Sequence, residues 1–307
     1  MESSWITGAG TRAHICLHVC RPSAPPRAIV VFLHGVGEHA RRYDQLFAEL
    51  CARGFLVHAP DFIGHGRSDG LPGYVPSFAD AVEDARGVCE EARRDAPGVP
   101  LALCGQSFGG LVAATVAAND GASGRGLIDG LVLTAASIDV RWTAVLRAQA
   151  AVGAALALAA PRARWVPAVR LEDMSDDAAT VESYASDPLV QIGGVRCRTA
   201  YEILRGFRSL RARYGDVRCA LLALHGGDDA CADKTASERL VREASSASKE
   251  YVELPRMHHL IMHEPGSEAV RARLADFVER LAASPPARPP PSLDRSPSAS
   301  SSTRSRL

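Results

Sequence analysis

Ser107 stands inside the run Gly105-Gln106-Ser107-Phe108-Gly109-Gly110, with an apolar stretch before it and a helix-forming stretch after it. A serine hydroxyl is a poor nucleophile at neutral pH. It needs a base to take its proton and an acid to orient that base. A tight strand-to-helix turn pushes such a serine into a cleft, and glycines two positions to either side remove side chains that would clash in the turn. The following helix directs its first amides and its dipole toward developing negative charge. The chemistry this predicts is acyl transfer through a serine nucleophile, which requires no cofactor and no metal.

Candidates for the base and the acid follow in the chain order acid, then histidine. The apolar run 219–224 leads into His225-Gly226-Gly227-Asp228-Asp229, and the run 251–254 leads into Pro255-Arg256-Met257-His258-His259. Each candidate lies just beyond a strand's C-terminal end, where loops of open α/β sheets collect their functional groups. Adjacent residues point in different directions, so one of Asp228 and Asp229, and one of His258 and His259, serves. Spacing alone leaves both pairs open. The segment His34-Gly35-Val36-Gly37, after the apolar run 28–33, suits an oxyanion loop. The backbone amides of Val36 and Phe108 are the expected oxyanion donors, and removing one such donor typically costs about 3 kcal/mol of transition-state stabilisation.

The elements that must position these groups read as alternating strands and helices. Residues 28–33, 55–59, 101–104, 131–134 and 219–224 form short apolar runs, with 251–254 a weaker one. Helical patterns at 42–53, 77–95 and 108–119 lie between them. This alternation predicts a mostly parallel central sheet with helices on both faces. The stretch before Arg21 is expected to add antiparallel edge strands. Between 137 and 217 no convincing strand is visible. An Ala-rich helical run at 142–160 and another helix near 197–213 read instead as a helical cap over the site. One α/β domain is therefore expected over 1–283. The last 24 residues, 284–307, hold eight Ser, six Pro and four Arg, a composition expected to form a disordered tail.

Composition narrows the function. The 307 residues carry 35 Lys+Arg against 35 Asp+Glu, and no basic block interrupts that balance, which argues against nucleic acid as partner. No run of about 18 uninterrupted apolar residues suggests a membrane span, and the first twenty residues lack a basic start followed by an apolar run. A cytoplasmic protein that visits membranes peripherally is the expectation. Eight cysteines at scattered spacing read as mostly buried thiols rather than a disulfide framework. His258, His259 and His263 lack an HExxH setting, so no metal is expected. Gly64-His65-Gly66 lacks the third glycine of a dinucleotide fingerprint and reads as a tight turn, with His65 supporting that loop. A serine at the elbow argues against hydrolases that use a carboxylate nucleophile.

Several separated motifs together resemble the monoacylglycerol lipase family of the α/β-hydrolase superfamily. His34-Gly35-Val36-Gly37-Glu38-His39 with Arg42-Tyr43 is similar to the family's HGxGEH…RY segment, and the stretch from Asp61 to Gly70 to its D-x-x-GHG-x-S-x-G loop. Tyr184-Ala185-Ser186-Asp187-Pro188-Leu189 resembles its cap motif YxSDPL. The resemblance implies an α/β-hydrolase fold and favours Asp229, the last residue of a Gly-x-x-Asp pattern from Gly226. It likewise favours His259, which Glu264 follows at five residues. The elbow departs from the family's GHSMGG: Gln106 replaces its histidine and Phe108 its methionine, which implies an altered acyl preference. Cys197 and Cys231, the latter offset by one position, are candidates for the cysteines the family often carries near its site, but each reads first as a buried inert thiol.

The implied reaction is hydrolysis of a monoacylglycerol to fatty acid and glycerol through an acyl-enzyme on Ser107, with His259 as base and Asp229 as orienting acid. A lysophospholipase or general carboxylesterase is the alternative reading. An acyltransferase or a non-catalytic protein of the same fold stands further off. The implied partner is a lipid ester substrate. The apolar stretch 145–160, too short to span a bilayer, is read as a cap helix with transient membrane-surface contact or as a helix packed on the core.

Overall fold

A computed structural model describes residues 1–140, 142–167 and 170–283. The expected tail at 284–307 lies outside the described residues. Strands β1 (Glu2–Thr7) and β2 (His14–Cys20) form an antiparallel hairpin. They are followed by β3 (Ala28–Leu33), helix α1 (Asp44–Ala52), β4 (Phe55–Pro60), α2 (Phe78–Asp95), β5 (Leu101–Gln106), α3 (Phe108–Ser123) and β6 (Gly130–Thr134). Then come α4 (Ala144–Ala159), α5 (Ala178–Ala185) and α6 (Cys197–Arg211), before β7 (Ala220–Gly226), α7 (Lys234–Glu243), β8 (Lys249–Leu254) and α8 (Ser267–Ala283).

The strands form one eight-stranded sheet in the order β1-β2-β4-β3-β5-β6-β7-β8. From β4 to β8 all pairings are parallel; β2 joins β4 antiparallel. This is the mostly parallel α/β-hydrolase architecture the sequence predicts, with the antiparallel edge in place. All six anticipated strand runs are strands; 28–33 coincides with β3, and the other five are extended by a residue or two or shifted by one at an end.

The central strands are apolar along their whole length because both faces are covered. Alternate residues serve opposite faces. Ile29, Val31 and Leu33 of β3 join Leu101 and Leu103 of β5 in a core with α2, α3, α6 and α7. Ala28, Val30 and Phe32 join Ala102 and Cys104 in the opposite core with α1 and α8. Helix α2 starts where Ser77 Oγ accepts the Asp80 amide, and α3 stops at Gly124 in the left-handed conformation. All eight cysteines are free; Cys16, Cys89, Cys104 and Cys197 are buried and the others half-buried.

The insertion after β6 is helical, carrying α4, α5 and α6, with one isolated bridge, Val166–Val195, that no pattern of residues announces. Helix α6 ties this cap to the core. Thr199 Oγ1 accepts the Val75 amide at 2.9 Å, and the buried Glu202 carboxylate accepts the Phe78 amide at 3.1 Å. Among the described residues no helix is long and apolar enough to cross a membrane.

Candidate active site

Ser107 sits between β5 and α3 with φ 51° and ψ −117°, a left-handed conformation that strains any residue with a Cβ. Close packing holds the turn. A Cβ on Gly105 would lie 2.3 Å from Gly109 O, and one on Gly109 would lie 2.2 Å from Leu33 O. The Ser107 amide donates to Thr134 O at 3.1 Å, and Ser107 O accepts the Ser137 amide at 3.0 Å. The glycines of the motif are therefore required by backbone approaching backbone, and the turn is anchored on β6.

Ser107 Oγ donates to His259 Nε2 at 2.9 Å, and His259 Nδ1 donates to Asp229 Oδ2 at 2.8 Å. Asp229 Oδ1 accepts the amides of Cys231 at 2.8 Å and Ala232 at 2.9 Å, which fixes the carboxylate's orientation. Of the two candidate pairs, Asp229 and His259 are the buried members that meet. Asp228 is exposed, and His258 turns toward Asp176 and Glu264. His263 is also drawn away from the triad and packs on the Tyr43 ring.

Burial raises the Asp229 pKa, but His259 and His225 beside it outweigh that and hold the carboxyl well below the usual range. Burial lowers the His259 pKa, but Asp229, with Glu38 and Glu264, outweighs burial and leaves it above the ordinary histidine value. The site is thus built to favour an imidazolium next to a carboxylate, the charge pair that forms when a serine gives up its proton.

The main chain of His259 is held at both ends. Gln106 Nε2 donates to His259 O at 3.0 Å, and Met174 O, from a turn in the cap, accepts the amides of both His259 and Leu260 at 3.1 Å. The same turn reaches the acid loop, where Cys231 Sγ donates to Asp173 O at 3.3 Å. Met174, Tyr184, Val190 and Leu260 form a small apolar cluster that seals this junction. Burial raises the Cys231 pKa, so its thiol stays protonated. Cys197 is buried at the start of α6.

Val36 lies on the wall of the cleft that contains Ser107 and His259, and Phe108 opens α3, where an amide has no partner within its own helix. Glu38 shapes this loop by accepting the Gly35 amide at 2.6 Å and the Tyr43 hydroxyl at 2.7 Å. A Cβ on Gly35 would stand 3.2 Å from Ser107 Cβ. His34 donates from Nδ1 to Gly35 O at 2.7 Å and accepts the Phe62 amide at Nε2 at 3.0 Å, which requires a neutral ring. Burial, with His65 nearby, pushes its pKa down to about 3 in keeping with that role.

The motifs that the sequence carries far apart converge here. His39 donates to Asp187 at 2.9 Å, Arg42 lies 4.7 Å over the Tyr184 ring, and the Gln191 amide donates to Gly37 O at 2.6 Å. Asp61 accepts hydrogen bonds from the amides of Ala40 and Arg67 and from His18 Nε2, so its loop supports the segment that carries Val36. His65 Nδ1 donates to Ile63 O at 2.9 Å inside that loop.

Gln106, Glu38 and Met174 were given no role by the sequence. The first two belong to recognised motifs whose side-chain partners are remote in the chain. Met174 acts through a main-chain carbonyl, which leaves no trace in residue type. Two groups present potential metal-ligand atoms within 4.8 Å of one another: Cys16, His18 and Asp61, and Asp229, Cys231 and His259. Both are hydrogen-bonded internally, and the second contains the His259–Asp229 pair of the relay.

The cleft over Ser107 is a narrow space of about 100 Å³ between Val36 and His259 below and the cap residues Leu171, Met174, Tyr184 and 191–195 above. A buried relay under an apolar roof is suited to acyl transfer from a chain-like ester.

Comparison with known proteins adds kinship. The profile of the family described as "Serine aminopeptidase, S33" matches residues 24–266. The chain is 30% identical to the monoacylglycerol lipase of Mycolicibacterium smegmatis over 279 residues, covering 90% of this chain and 96% of that one. It is 27% identical to the human monoglyceride lipase over 80% of this chain and 82% of that protein. A soluble variant of the Saccharomyces cerevisiae monoglyceride lipase, solved with a substrate analogue, shares the fold: TM-score 0.80, 21% identity, 91% of this chain and 94% of that one.

Proposed function

The chain belongs to the serine aminopeptidase S33 family within the α/β-hydrolases and is a carboxylic ester hydrolase, and on that footing we propose that it cleaves monoacylglycerols to fatty acid and glycerol through an acyl-enzyme. The observation that carries this reading is the unbroken relay from Ser107 Oγ through His259 to Asp229, at 2.9 and 2.8 Å.

Ser107 Oγ attacks the ester carbonyl as His259 Nε2 takes its proton. Asp229 keeps the imidazole in the Nδ1–H tautomer and stabilises the imidazolium. The amides of Val36 and Phe108 donate to the oxyanion. His259 then returns the proton to the leaving glycerol oxygen. Water, deprotonated by the same histidine, attacks the acyl-enzyme and releases the fatty acid.

The kinship with monoacylglycerol lipases and the apolar cap support a lipid ester as substrate. The outer face of α4 supports contact with the lipid phase. Val152 and Leu158 are 51% and 80% exposed on a helix whose sequence is apolar apart from Arg147 and Gln149, a pattern that suits an apolar partner.

The test is fatty-acid release from 1- and 2-monoacylglycerols of several chain lengths, with lysophosphatidylcholine and a short aryl ester alongside and Ser107→Ala as control. Ser107-dependent release that is fastest from monoacylglycerols is the expected result. Faster release from lysophosphatidylcholine would replace the substrate assignment, and release unaffected by Ser107→Ala would overturn the nucleophile.

A further inference from the structure

Three guanidiniums gather at the mouth of the cleft. Arg162 and Arg164 lie on the segment after α4, and Arg196 immediately precedes α6. The Val166–Val195 bridge holds the two segments side by side. Arg196 donates to Arg162 O at 2.5 Å and to Pro72 O at 2.8 Å. Arg164, which lines the cleft, donates to Gln191 Oε1 at 3.1 Å and Ile192 O at 3.4 Å.

All these acceptors are neutral. Among the described residues none of the three arginines has a carboxylate within 4.0 Å, whereas their neighbours Arg170 and Arg198 are paired with Glu172 and Glu202. The chain as a whole has a formal net charge of zero, so this excess is local rather than a consequence of a basic protein. Burial, then the charges of Arg164 and Arg162, lowers the Arg196 pKa. Like charges held together without a counter-ion cost folding energy, and an anion arriving from outside would relieve that cost.

Exposed apolar side chains surround the cluster. Trp165, between Arg164 and Val166, is 66% exposed, and Ile192 beside the cleft is 43% exposed. Tryptophan with arginine at the edge of an apolar face is the pattern of a protein seated at a lipid headgroup layer. A monoacylglycerol is uncharged and gives guanidiniums nothing to neutralise. The anion therefore belongs to the surface from which the substrate is drawn.

We infer that Arg162, Arg164 and Arg196 form an electrostatic dock for anionic phospholipid headgroups, which seats the cleft mouth on negatively charged lipid surfaces. The inference rests on the lipid-contact reading above and adds charge selectivity to it. The apolar side chains enter the interface while the guanidiniums meet phosphate oxygens, each cation strengthening partition by roughly fivefold.

The test uses the full chain and vesicles of phosphatidylcholine, alone or with about a third phosphatidylglycerol, read by co-sedimentation at low and high salt. The expected result is partition onto the anionic vesicles at least tenfold stronger than onto neutral ones, abolished by salt. Arg162→Gln/Arg164→Gln/Arg196→Gln should remove the preference. Arg162→Gln alone should weaken it about fivefold. That single variant keeps the main-chain carbonyl that Arg196 uses, so it reports even if the triple variant does not fold. Equal partition onto both vesicles would overturn the inference and leave the lipid-contact reading intact. Partition onto neither would overturn both, while hydrolysis of a dissolved aryl ester would still report on Ser107 separately. Arginine variants that change KM for lysophosphatidylglycerol, but not vesicle partition, would reassign the cluster to the substrate and overturn the dock.

Discussion

The side chain of Gln106 and the main chain of His259 are joined by a 3.0 Å hydrogen bond that runs from the residue before Ser107 to the residue whose imidazole meets the Ser107 hydroxyl. Because Met174 O holds the amide of the same histidine from the cap side, the imidazole is mounted between the sheet and the cap. Gln106 Oε1 is buried without a hydrogen-bond partner, so the side chain is retained at a cost that its Nε2 donor must justify.

Gln106→Leu removes the donor together with the unpartnered acceptor. Stability should fall by only about 1 kcal/mol, since the relieved Oε1 orphan is offset by a new one at the His259 carbonyl and the bond itself is lost. kcat should fall by roughly tenfold to a hundredfold with KM held, because a base displaced by a fraction of an ångström loses proton-transfer geometry. Gln106→His, which keeps a ring N–H donor, should recover most of the rate. Steady-state kinetics with thermal melts on the three proteins decide this, and equal losses in kcat and Tm would point to a structural role instead.

The pH dependence follows from the raised pKa of His259. Attack requires the neutral imidazole, so kcat/KM should rise with pH through a midpoint above the ordinary histidine value of about 6.5. Asp229→Asn removes the charge that raises it, so the midpoint should move down and kcat should fall by about 10⁴. A dissolved aryl ester measured from acid to neutral pH gives both numbers. A wild-type midpoint below the ordinary value would contradict the electrostatics of the pair.

Glu38 should act through the loop that carries Val36, which it holds, rather than on the substrate. Glu38→Ala leaves the Gly35 amide and the Tyr43 hydroxyl without their acceptor, and kcat should drop by about a hundredfold with a smaller change in KM. Glu38→Gln keeps an acceptor oxygen and should lose far less. Burst kinetics with an activated ester locate the effect in acylation.

Asp61 supports the same loop from below. Burial raises its pKa, but His18, His34 and the amides of Arg67 and Ala40 outweigh that and hold the carboxyl below its ordinary range. A depressed carboxyl contributes stability that is complete above the unfolded pKa of about 4 and is lost as pH falls toward the folded value. Asp61→Ala, which strands these donors, should cost about 3–5 kcal/mol in denaturant unfolding. It should also narrow the difference in stability between neutral and acid pH.

The exposed face of α4 offers a separable test of lipid contact. Val152→Asp and Leu158→Asp should leave turnover of a dissolved aryl ester unchanged and slow turnover of monoacylglycerol held in vesicles by about tenfold, since each buries apolar area only when lipid is present. A parallel loss on both substrates would place that face against protein instead.

Short-range chemistry is written into residue types and can be read along the chain. The turn at Ser107 required glycine at 105 and 109, and those glycines are visible in the chain. Strands buried on both faces had to be apolar throughout, which made β3, β5 and β6 plain. Helices α5, α7 and α8, which carry no catalytic motif, were not anticipated, and the lone Val166–Val195 bridge is too short to leave a pattern. Residue types alone left Asp228 against Asp229 and His258 against His259 undecided, and only the resemblance tipped the choice. Which of each pair faces Ser107 depends on how β7 and β8 end against each other: Asp229 and His259 are buried toward it, while Asp228 is exposed and His258 turns to Asp176 and Glu264. The clamp on His259 and the convergence of His39 and Arg42 on Asp187 were likewise decided in three dimensions. They join residues up to 153 positions apart through hydrogen bonds whose length and direction no local pattern records.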